Sequence, residues 1–364
     1  MLLTTATRPL AALLLIASVA TAADTARLDA VFDKLAGPQT PGLAVLVRQD
    51  GKTIFQRGYG ARDLHTRTPI DERTDFRLAS CTKQFTAMAV MLLVHDGRLH
   101  YDDPLTRFFP DFPDYARAIT IRHLLTHTSG LPGYEDQMEG GPWTESRQIR
   151  DDEVLALLKK AATPKFAAGS SWSYSNSGYV LLGLLVAKAA GVPFREFLRR
   201  RIFRPLGMDH TLAYVRGENA VPDRAFGHSM RAGAFFETDQ SSTSATLGDG
   251  GVYSNLEDLA KWDRALAGHT LLSDAEMQPA LTPARLDDGS EPRDTDTRLP
   301  VAYGFGWFLD PYAARPRMWH YGSTRGFSTA IERFPAEKLT IIVLANRTDV
   351  DAAKLALAAA DALH

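Results

Sequence analysis

A serine and a lysine three residues apart are the first side chains in this sequence that could do covalent chemistry. Ser80 and Lys83 stand at the start of an apolar stretch with helical period, so both side chains lie on one helix face. A serine hydroxyl is a weak nucleophile until a neighbouring base takes its proton. Lysine can be that base if burial or a nearby positive group lowers its pKa by about 3 units, from ~10.4 toward 7. The same S-x-x-K pattern is also typical of an N-cap serine followed by an exposed lysine.

A second pair of candidates lies in the serine-rich residues 173–179. Tyr174 and Asn176 are separated by one residue, so in an extended loop their side chains face the same way. The loop precedes a predicted helix, for which Ser177 is the candidate N-cap. In this arrangement Tyr174 could transfer protons and Asn176 could bind a substrate amide. The alternative is a packing tyrosine beside a capping asparagine.

The third candidate is a predicted strand that carries His320 and Gly322. Glycine has no side chain, so at position 322 it would let a ligand approach the backbone closely. The alternative is a core strand with a bulge and a surface histidine.

Two strand-rich segments that lie far apart in the sequence must position these side chains. In the first, residues 43–47 form a buried apolar run, Asp50-Gly51 is a hairpin signal, and residues 53–55 begin the return strand. The second contains three apolar runs, at 319–323, 327–334 and 339–345, with a tight turn predicted at 335–338.

Between these segments the apolar period is mostly helical. The predicted helices are residues 83–95, 152–161, 178–190, 194–203 and 256–266, with residues 25–35 and 351–363 as helices at the two ends. Glycines at C-cap positions are Gly191, Gly207 and Gly268. The charged, aperiodic residues 286–298 are predicted to form an exposed loop.

This order of elements predicts an α/β (α+β) fold in which N-terminal and C-terminal strands share one antiparallel sheet. Terminal helices would cover one face, and a mostly helical lobe would pack against the sheet. The cleft between the lobes is where a ligand site is expected. Because both chain ends enter the sheet, residues 23–364 are predicted to form one intertwined domain.

The N-terminus has the pattern of a cleaved signal peptide. Arg8 precedes an apolar run at residues 10–19, and Ala20-Thr21-Ala22 is a small-x-small cleavage site, so residues 1–22 are predicted to be removed. The run is too short to span a bilayer. We therefore expect a periplasmic or secreted protein without a stable membrane anchor.

Composition restricts the partners and the cross-links. The net charge of −2 gives no electrostatic reason to expect nucleic acid or an anionic membrane as a partner. The single cysteine, Cys81, excludes an internal disulfide. The remaining expected partner is a small-molecule or peptide substrate.

The three motifs S-x-x-K, Tyr-x-Asn and His-x-Gly occur in the order and rough spacing of the penicillin-recognising serine hydrolases. The connecting sequence resembles the branch of class C β-lactamases, DD-carboxypeptidases, D-aminopeptidases and esterases. The matching stretches are residues 120–133, 205–208, 250–259, 303–307 and 344–346. The resemblance extends over about residues 42–346, so it implies that family's fold for nearly the whole chain.

The resemblance also implies roles for individual residues. Ser80 would form the acyl-enzyme, Lys83 and Tyr174 would move the proton, and His320 would stand at a catalytic position. The backbone N–H groups of Ser80 and Ser323 would form the oxyanion hole. Substrate contacts are implied for Asn176, Tyr134, Gly322, Arg325 and Asn346. No cofactor and no metal is implied.

Departures from the family pattern affect the expected substrate. His320 replaces the lysine usual in the β-lactamases, and Tyr321 replaces a small hydroxyl residue that often helps to hold a substrate carboxylate. Arg325 replaces a common glycine, so it either places a cation at the cleft mouth or points to solvent. A hydrolase of D-amino-acid peptides or esters is therefore favoured over a class C-type β-lactamase. The alternative of another class is a catalytically silent binding homologue in the cell envelope.

The histidine also changes the expected proton chemistry. A tyrosine needs its pKa lowered by about 3 units from ~10 to be a phenolate at pH 7, and a neutral histidine would not help as an ammonium would. Lys83 is therefore predicted to carry more of the base role than Tyr174. Titration of His320 is predicted to change activity between about pH 5.5 and 7.5.

Three further features are predicted to be structural. His123 and His127 have the i, i+4 spacing of helical zinc ligands, but no third ligand is evident. Cys81 lies about 100° around the helix from Ser80 and is predicted to be a small core residue.

Overall fold

The structure is a computed structural model that describes residues 22–364. Apart from Ala22, where the first helix begins, the predicted signal peptide lies outside the described residues. The strands are β1 Leu43–Gln49, β2 Lys52–Tyr59, β3 Ala61–Asp63, β4 Thr68–Pro69, β5 Phe76–Arg77, β6 Leu212–Ala213, β7 His228–Arg231, β8 Ala234–Glu237, β9 Val252–Ser254, β10 Met318–Thr324, β11 Phe327–Phe334 and β12 Leu339–Ala345. The helices are α1 Ala22–Phe32, α2 Lys83–His95, α3 Leu105–Phe108, α4 Ile121–Leu125, α5 Tyr134–Gln137, α6 Asp151–Lys160, α7 Asn176–Ala190, α8 Phe194–Leu198, α9 Leu256–Ala267, α10 Asp274–Met277 and α11 Ala352–Asp361.

The main sheet joins both ends of the chain in the order β10-β11-β12-β1-β2, with antiparallel neighbours throughout. Leu43 pairs with Ala345, so the first strand lies directly beside the last. The β1–β2 hairpin turns at Asp50 and Gly51, whose φ angles of 49° and 76° are left-handed. This confirms the hairpin, the three C-terminal strands and the α/β fold class predicted from the sequence.

The two faces of this sheet enter two separate hydrophobic cores, because successive strand residues point to opposite faces. On one face Val45 and Val343 pack with apolar residues of α1 and α11. On the other face Leu46 and Ile342 belong to the larger core, which includes α2, α7 and α9. The sheet is therefore a wall between the terminal helices and the helical part of the chain that contains the motifs.

Several predicted helices have boundaries that are off by one to three residues, and at two helices the cap or the helix type also differs. Helix α7 begins at Asn176 and its N-cap is Ser175, whose hydroxyl accepts a hydrogen bond from the Gly178 N–H. The predicted cap Ser177 is wrong, since its hydroxyl instead donates to the Pro132 carbonyl. The helix predicted at 194–203 keeps α geometry only to Leu198 and continues as a π-helical turn.

Within residues 22–364 no single helix is long and apolar enough to cross a membrane. One bent pair, Asn176–Ala190 with Phe194–Leu206, meets that test jointly by length and composition alone.

The backbone around Ser80 is held against the edge of the main sheet. Ser80 lies in a 3-10 turn, Ala79–Thr82, that leads directly into α2. Gly322 of β10 lies so close to this turn that a Cβ atom there would be 2.2 Å from the Leu78 carbonyl oxygen and 2.4 Å from the Thr329 hydroxyl. The Thr329 hydroxyl in turn donates to the Leu78 carbonyl at 2.8 Å. On the side where a Cβ atom would stand, the space at position 322 is filled by the Leu78 carbonyl and the Thr329 hydroxyl, and the predicted approach of a ligand to the Gly322 backbone stays a prediction.

Gly322→Ala is therefore expected to push β10 away from the Ser80 turn. Overpacking of this kind costs about 1–3 kcal/mol of unfolding free energy, and displacement of the strand should also reduce hydrolysis. Gly37→Ala is the matched control, because a Cβ atom at position 37 meets nothing within 4 Å. Thermal unfolding measures both variants, and equal melting temperatures for the two would contradict the close approach.

Candidate active site

The amino group of Lys83 lies at the centre of the site, in the larger core. Its side chain is fully buried. The Nζ atom donates to the Ser80 hydroxyl at 3.2 Å, to Asn176 Oδ1 at 2.8 Å and to the Asp249 carbonyl at 2.9 Å. Three acceptors are matched to the three N–H bonds of an ammonium group.

The same geometry prepares Lys83 to act as a base. A neutral amine has two N–H bonds and one lone pair, and the oxygens of Asn176 and Asp249 can only accept. Both N–H bonds are therefore directed to these oxygens, which leaves the lone pair facing the Ser80 hydroxyl. Burial lowers the pKa of Lys83 to about 8, although the charges of Asp249 and Glu135 oppose the shift.

The environment of Tyr174 disfavours a phenolate. Its hydroxyl oxygen is buried and has no hydrogen-bond partner among residues 22–364. Burial raises the pKa of Tyr174 well above 10, and the nearby Ser80 hydroxyl only partly opposes this. Because the pKa of Lys83 falls while that of Tyr174 rises, the site favours lysine as the base, in agreement with the sequence prediction. Tyr174 is then a neutral hydroxyl that can pass or donate a proton.

His127 supports the loop that carries Tyr174 and Asn176. Its Nδ1 accepts a hydrogen bond from the Ser175 N–H at 3.1 Å, and its ring lies 4.4 Å from the Tyr174 ring between centroids. Burial, with the charges of Lys83 and His320, lowers its pKa well below 6.5, so the ring stays neutral. The sequence analysis gave His127 a structural role, but pattern alone could not show which loop it holds.

His320 lies near Tyr174 but is not free to exchange protons with substrate. It is fully buried; Nδ1 donates to the Tyr321 carbonyl at 2.6 Å, and Nε2 accepts from the Tyr303 hydroxyl at 3.2 Å. Burial lowers its pKa to about 3, with a further contribution from Lys83. The predicted titration between pH 5.5 and 7.5 is therefore wrong, and His320 is a positioning residue rather than a catalytic one.

The edge of β10 carries Ser323, whose N–H is predicted to be one half of an oxyanion site. Trp319 exchanges backbone hydrogen bonds with Phe308 on the side away from β11, both at 2.9 Å. Antiparallel geometry alternates along the strand, so Ser323, four residues on, directs its N–H to the same outer side. Among residues 22–364 no strand covers that edge at Ser323, which is exposed. The pairing of the Ser80 and Ser323 N–H groups around an oxyanion stays a prediction.

Sequence reasoning missed Glu135 as a candidate substrate-binding residue. Its carboxylate accepts a hydrogen bond from Asn176 Nδ2 at 2.8 Å, while Asn176 Oδ1 accepts from Lys83. Glu135 is exposed as a residue, while partial burial of its carboxyl group raises its pKa. Glu135 lies next to the Tyr-x-Asn motif in space but about 40 positions before it in the sequence. No short motif therefore connects the two.

Two predicted substrate contacts are structural instead. Tyr134 is buried, and its hydroxyl donates to Asp249 Oδ2 at 3.2 Å. Asn346 is fully buried, and its amide joins three chain segments through the Gly42 N–H and the carbonyls of Ala61 and Phe226. Neither side chain reaches the cleft, so both predictions are corrected.

The remaining candidates are placed as follows. Arg325 forms an ion pair with Glu145 at 3.4 Å, so its charge is compensated rather than free in the cleft. The buried Cys81 thiol donates to the His320 carbonyl at 3.2 Å, and burial raises its pKa to about 12. His123 completes the capping box of α4 with Thr120.

The chain is similar to known proteins in both sequence and structure. The family model described as Beta-lactamase matches residues 28–364. The chain is 31% identical to a penicillin-binding protein of Bacillus subtilis over 334 residues, which cover 88% of this chain and 72% of that protein. It is 31% identical to esterase EstB of Burkholderia gladioli, with 88% and 90% of the two chains covered. The crystal structure of the D-amino acid amidase of Ochrobactrum anthropi SV3, complexed with L-phenylalanine amide, superimposes with a TM-score of 0.77 at 26% identity and covers 93% of this chain and 98% of that one.

The buried neutral histidines predict how stability depends on pH. In the unfolded chain His320 takes up a proton near pH 6.5, but in the folded protein it does so only near pH 3. Unfolding therefore binds protons between these values, and the free energy of unfolding should fall as the pH drops below about 6.5.

The expected contribution of His320 is up to about 1.4 kcal/mol per pH unit between pH 6 and 4. Urea unfolding at several pH values should show a shallower slope for His320→Gln than for the wild type. Equal slopes, or an activity inflection between pH 5.5 and 7.5 that His320→Gln abolishes, would contradict the assignment.

Proposed function

The chain belongs to the Beta-lactamase family of serine hydrolases, and from this premise we propose that it acts through an acyl-enzyme on Ser80. The observation that carries the proposal is the contact of 3.2 Å between the Ser80 hydroxyl and the fully buried Lys83 amine. Ser80 itself is partly exposed, so a substrate carbonyl can reach its oxygen. A buried amine with a lowered pKa beside an accessible hydroxyl can activate a serine nucleophile for acyl transfer.

The proposed reaction begins with proton transfer from the Ser80 hydroxyl to the neutral Lys83 amine. The serine oxygen bonds to the substrate carbonyl carbon, and the negative charge that forms on the carbonyl oxygen is stabilised by the N–H groups of Ser80 and Ser323. The bond to the leaving group then breaks, and that group takes a proton from the Lys83 ammonium directly or through Tyr174. Water then gives a proton to Lys83 and adds to the acyl carbonyl. The Ser80 oxygen leaves, takes that proton back, and the acid is released.

For the substrate, we propose an acyl group that carries a free amino group next to the scissile carbonyl. Asn176 accepts a hydrogen bond from Lys83, and the exposed Glu135 accepts one from the Asn176 amide. A carboxylate next to Asn176 is suited to an α-ammonium group, with which it would make a charge-assisted hydrogen bond. The similarity to a D-amino acid amidase supports a substrate of this class, namely an amide or peptide of a D-amino acid.

An ester of a small acid is the second candidate, and the similarity to an esterase over most of both chains favours it. Esters need the same nucleophile, base and oxyanion site but no group for an ammonium. The two candidates therefore differ in whether Glu135 matters.

The acyl-enzyme itself is tested by covalent labelling. Intact-protein mass spectrometry after incubation with a fluorophosphonate should show one adduct on the wild type and none on Ser80→Ala. Lys83→Met should react at least about a hundredfold more slowly, since loss of a general base costs 10²–10⁴ in rate. Equal labelling of Ser80→Ala, or no labelling of the wild type, would refute a nucleophilic Ser80 and favour a catalytically silent homologue.

The role of Glu135 is tested with a matched pair of substrates, a D-amino acid amide and its N-acetylated form. The wild type should prefer the free amine, and Glu135→Gln should lose about tenfold to a hundredfold in kcat/KM for the amine alone, the worth of a charged hydrogen bond of ~1.5–3 kcal/mol. Asp136→Asn, at the neighbouring position of the same short helix, is the control and should retain the preference. The esterase would be favoured if the wild type showed no preference for the free amine over its N-acetylated form and if the wild type and Glu135→Gln hydrolysed an ester equally well.

A further inference from the structure

A buried acidic residue with incomplete hydrogen bonding lies next to the catalytic lysine. Asp249 is 7% exposed. Its main-chain carbonyl accepts the bond from Lys83 Nζ, and its Oδ2 accepts from the Tyr134 hydroxyl. Its Oδ1 is buried and has no partner anywhere in the part of the chain that the structure describes. A buried carboxylate oxygen without a donor is costly, and such a group calls for an explanation.

The loop that carries Asp249 is held rigidly on both sides. The Thr86 hydroxyl of α2 donates to the Gly248 carbonyl at 2.6 Å. On the other side a Cβ atom at position 248 would lie 2.2 Å from the Tyr179 carbonyl oxygen of α7. The Leu247 N–H donates to Asp151 at 3.0 Å. These contacts hold the loop between α2 and α7, with the Asp249 carbonyl on Lys83 Nζ.

We propose that Asp249 is a positioning residue that holds Lys83 partly protonated near neutral pH and so sets the lower pH limit of the enzyme. The carbonyl of this residue fixes the direction of the amine, and its carboxylate supplies a negative charge in a region without water. The inference rests on the proposed function, because it concerns the base of that reaction.

Other groups also face Lys83 and must be weighed against Asp249. They are Glu135 of α5, Cys81 of the 3-10 turn, Tyr174 and Tyr179 whose rings lie 4.8 and 5.4 Å from Nζ, and the neutral rings of His127 and His320. Of the charges that raise the pKa of Lys83 against the effect of burial, Asp249 contributes most and Glu135 comes next. The pKa of Cys81 lies near 12, so its thiol is neutral in the working range.

The sign of the effect follows from this balance. Removal of the Asp249 charge leaves burial less opposed, so Lys83 should lose its proton at a lower pH. The rate in the acidic limb is proportional to the fraction of neutral amine, so Asp249→Asn should be faster than the wild type at low pH. At high pH it should be equal or slower, because a weaker base is a poorer catalyst.

The experiment is the rate of Ser80 labelling by a fluorophosphonate between pH 5 and 10, which needs no knowledge of the substrate. We expect a midpoint near 8 for the wild type and about one unit lower for Asp249→Asn, which is about a tenfold faster reaction at pH 6. Asp249→Glu keeps the charge and should restore the wild-type midpoint. Asp152→Asn is the matched control: this exposed carboxylate is not among the charges that raise the pKa of Lys83, so the midpoint should not move.

Each outcome has one meaning. A wild type that is not labelled at Ser80 refutes the proposed function, whatever Asp249 does. A labelled wild type whose midpoint is unchanged or raised in Asp249→Asn overturns the role of Asp249 and leaves the function standing. If thermal unfolding shows that Asp249→Asn does not fold, Asp249→Ser is the smaller neutral variant, and the same downward shift is required of it.

Discussion

The loss of water around the Lys83 amine is the constraint on which the rest of this structure depends. A charged ammonium group in an apolar core is unstable unless it is fully hydrogen-bonded, and the folded chain offers it three oxygens. One of these, the Ser80 hydroxyl, can also give up a proton. Because burial disfavours the charged form, it lowers the proton affinity of the Lys83 amine, which lies beside the nucleophile.

Each part of the site comes from a different segment, and each is fixed by contacts outside the cleft. The Ser80 turn is pressed against β10 through Gly322, and the loop with Tyr174 is held by His127. The loop with Asp249 is held between α2 and α7. Since the base must face the serine within one hydrogen bond, small displacements of any of these segments would separate them.

The sequence was sufficient for the fold because the signals were local and periodic. The runs at 327–334 and 339–345 become β11 and β12 with the same boundaries, and the helix at 83–95 becomes α2. Ser80 and Lys83 could be found because their spacing is one helical turn. The helix cap at 175–177 was placed two residues late, because a run of serines offers several capping hydroxyls and only the tertiary bond from Ser177 to Pro132 distinguishes them.

The errors at the site have a common physical cause. Whether His320, Tyr134 or Asn346 can reach a ligand depends on burial and on which atoms their polar groups already bind, and neither is encoded in local spacing. Glu135 and Asp249 were missed for the complementary reason. Both approach Lys83 only through tertiary folding, so no spacing relative to Ser80 or Lys83 marks them as part of the site.

The most direct test of the account is the titration of Lys83 itself. Nuclear magnetic resonance of the protein labelled with ¹³C at the lysine ε-carbons, with the Lys83 signal assigned by its loss in Lys83→Arg, would give the pKa of this one amine in the resting protein. The account predicts a midpoint near 8, about two units below an exposed lysine. A midpoint at 10 or above would contradict it, because a lysine with an ordinary pKa could not serve as the base near neutral pH.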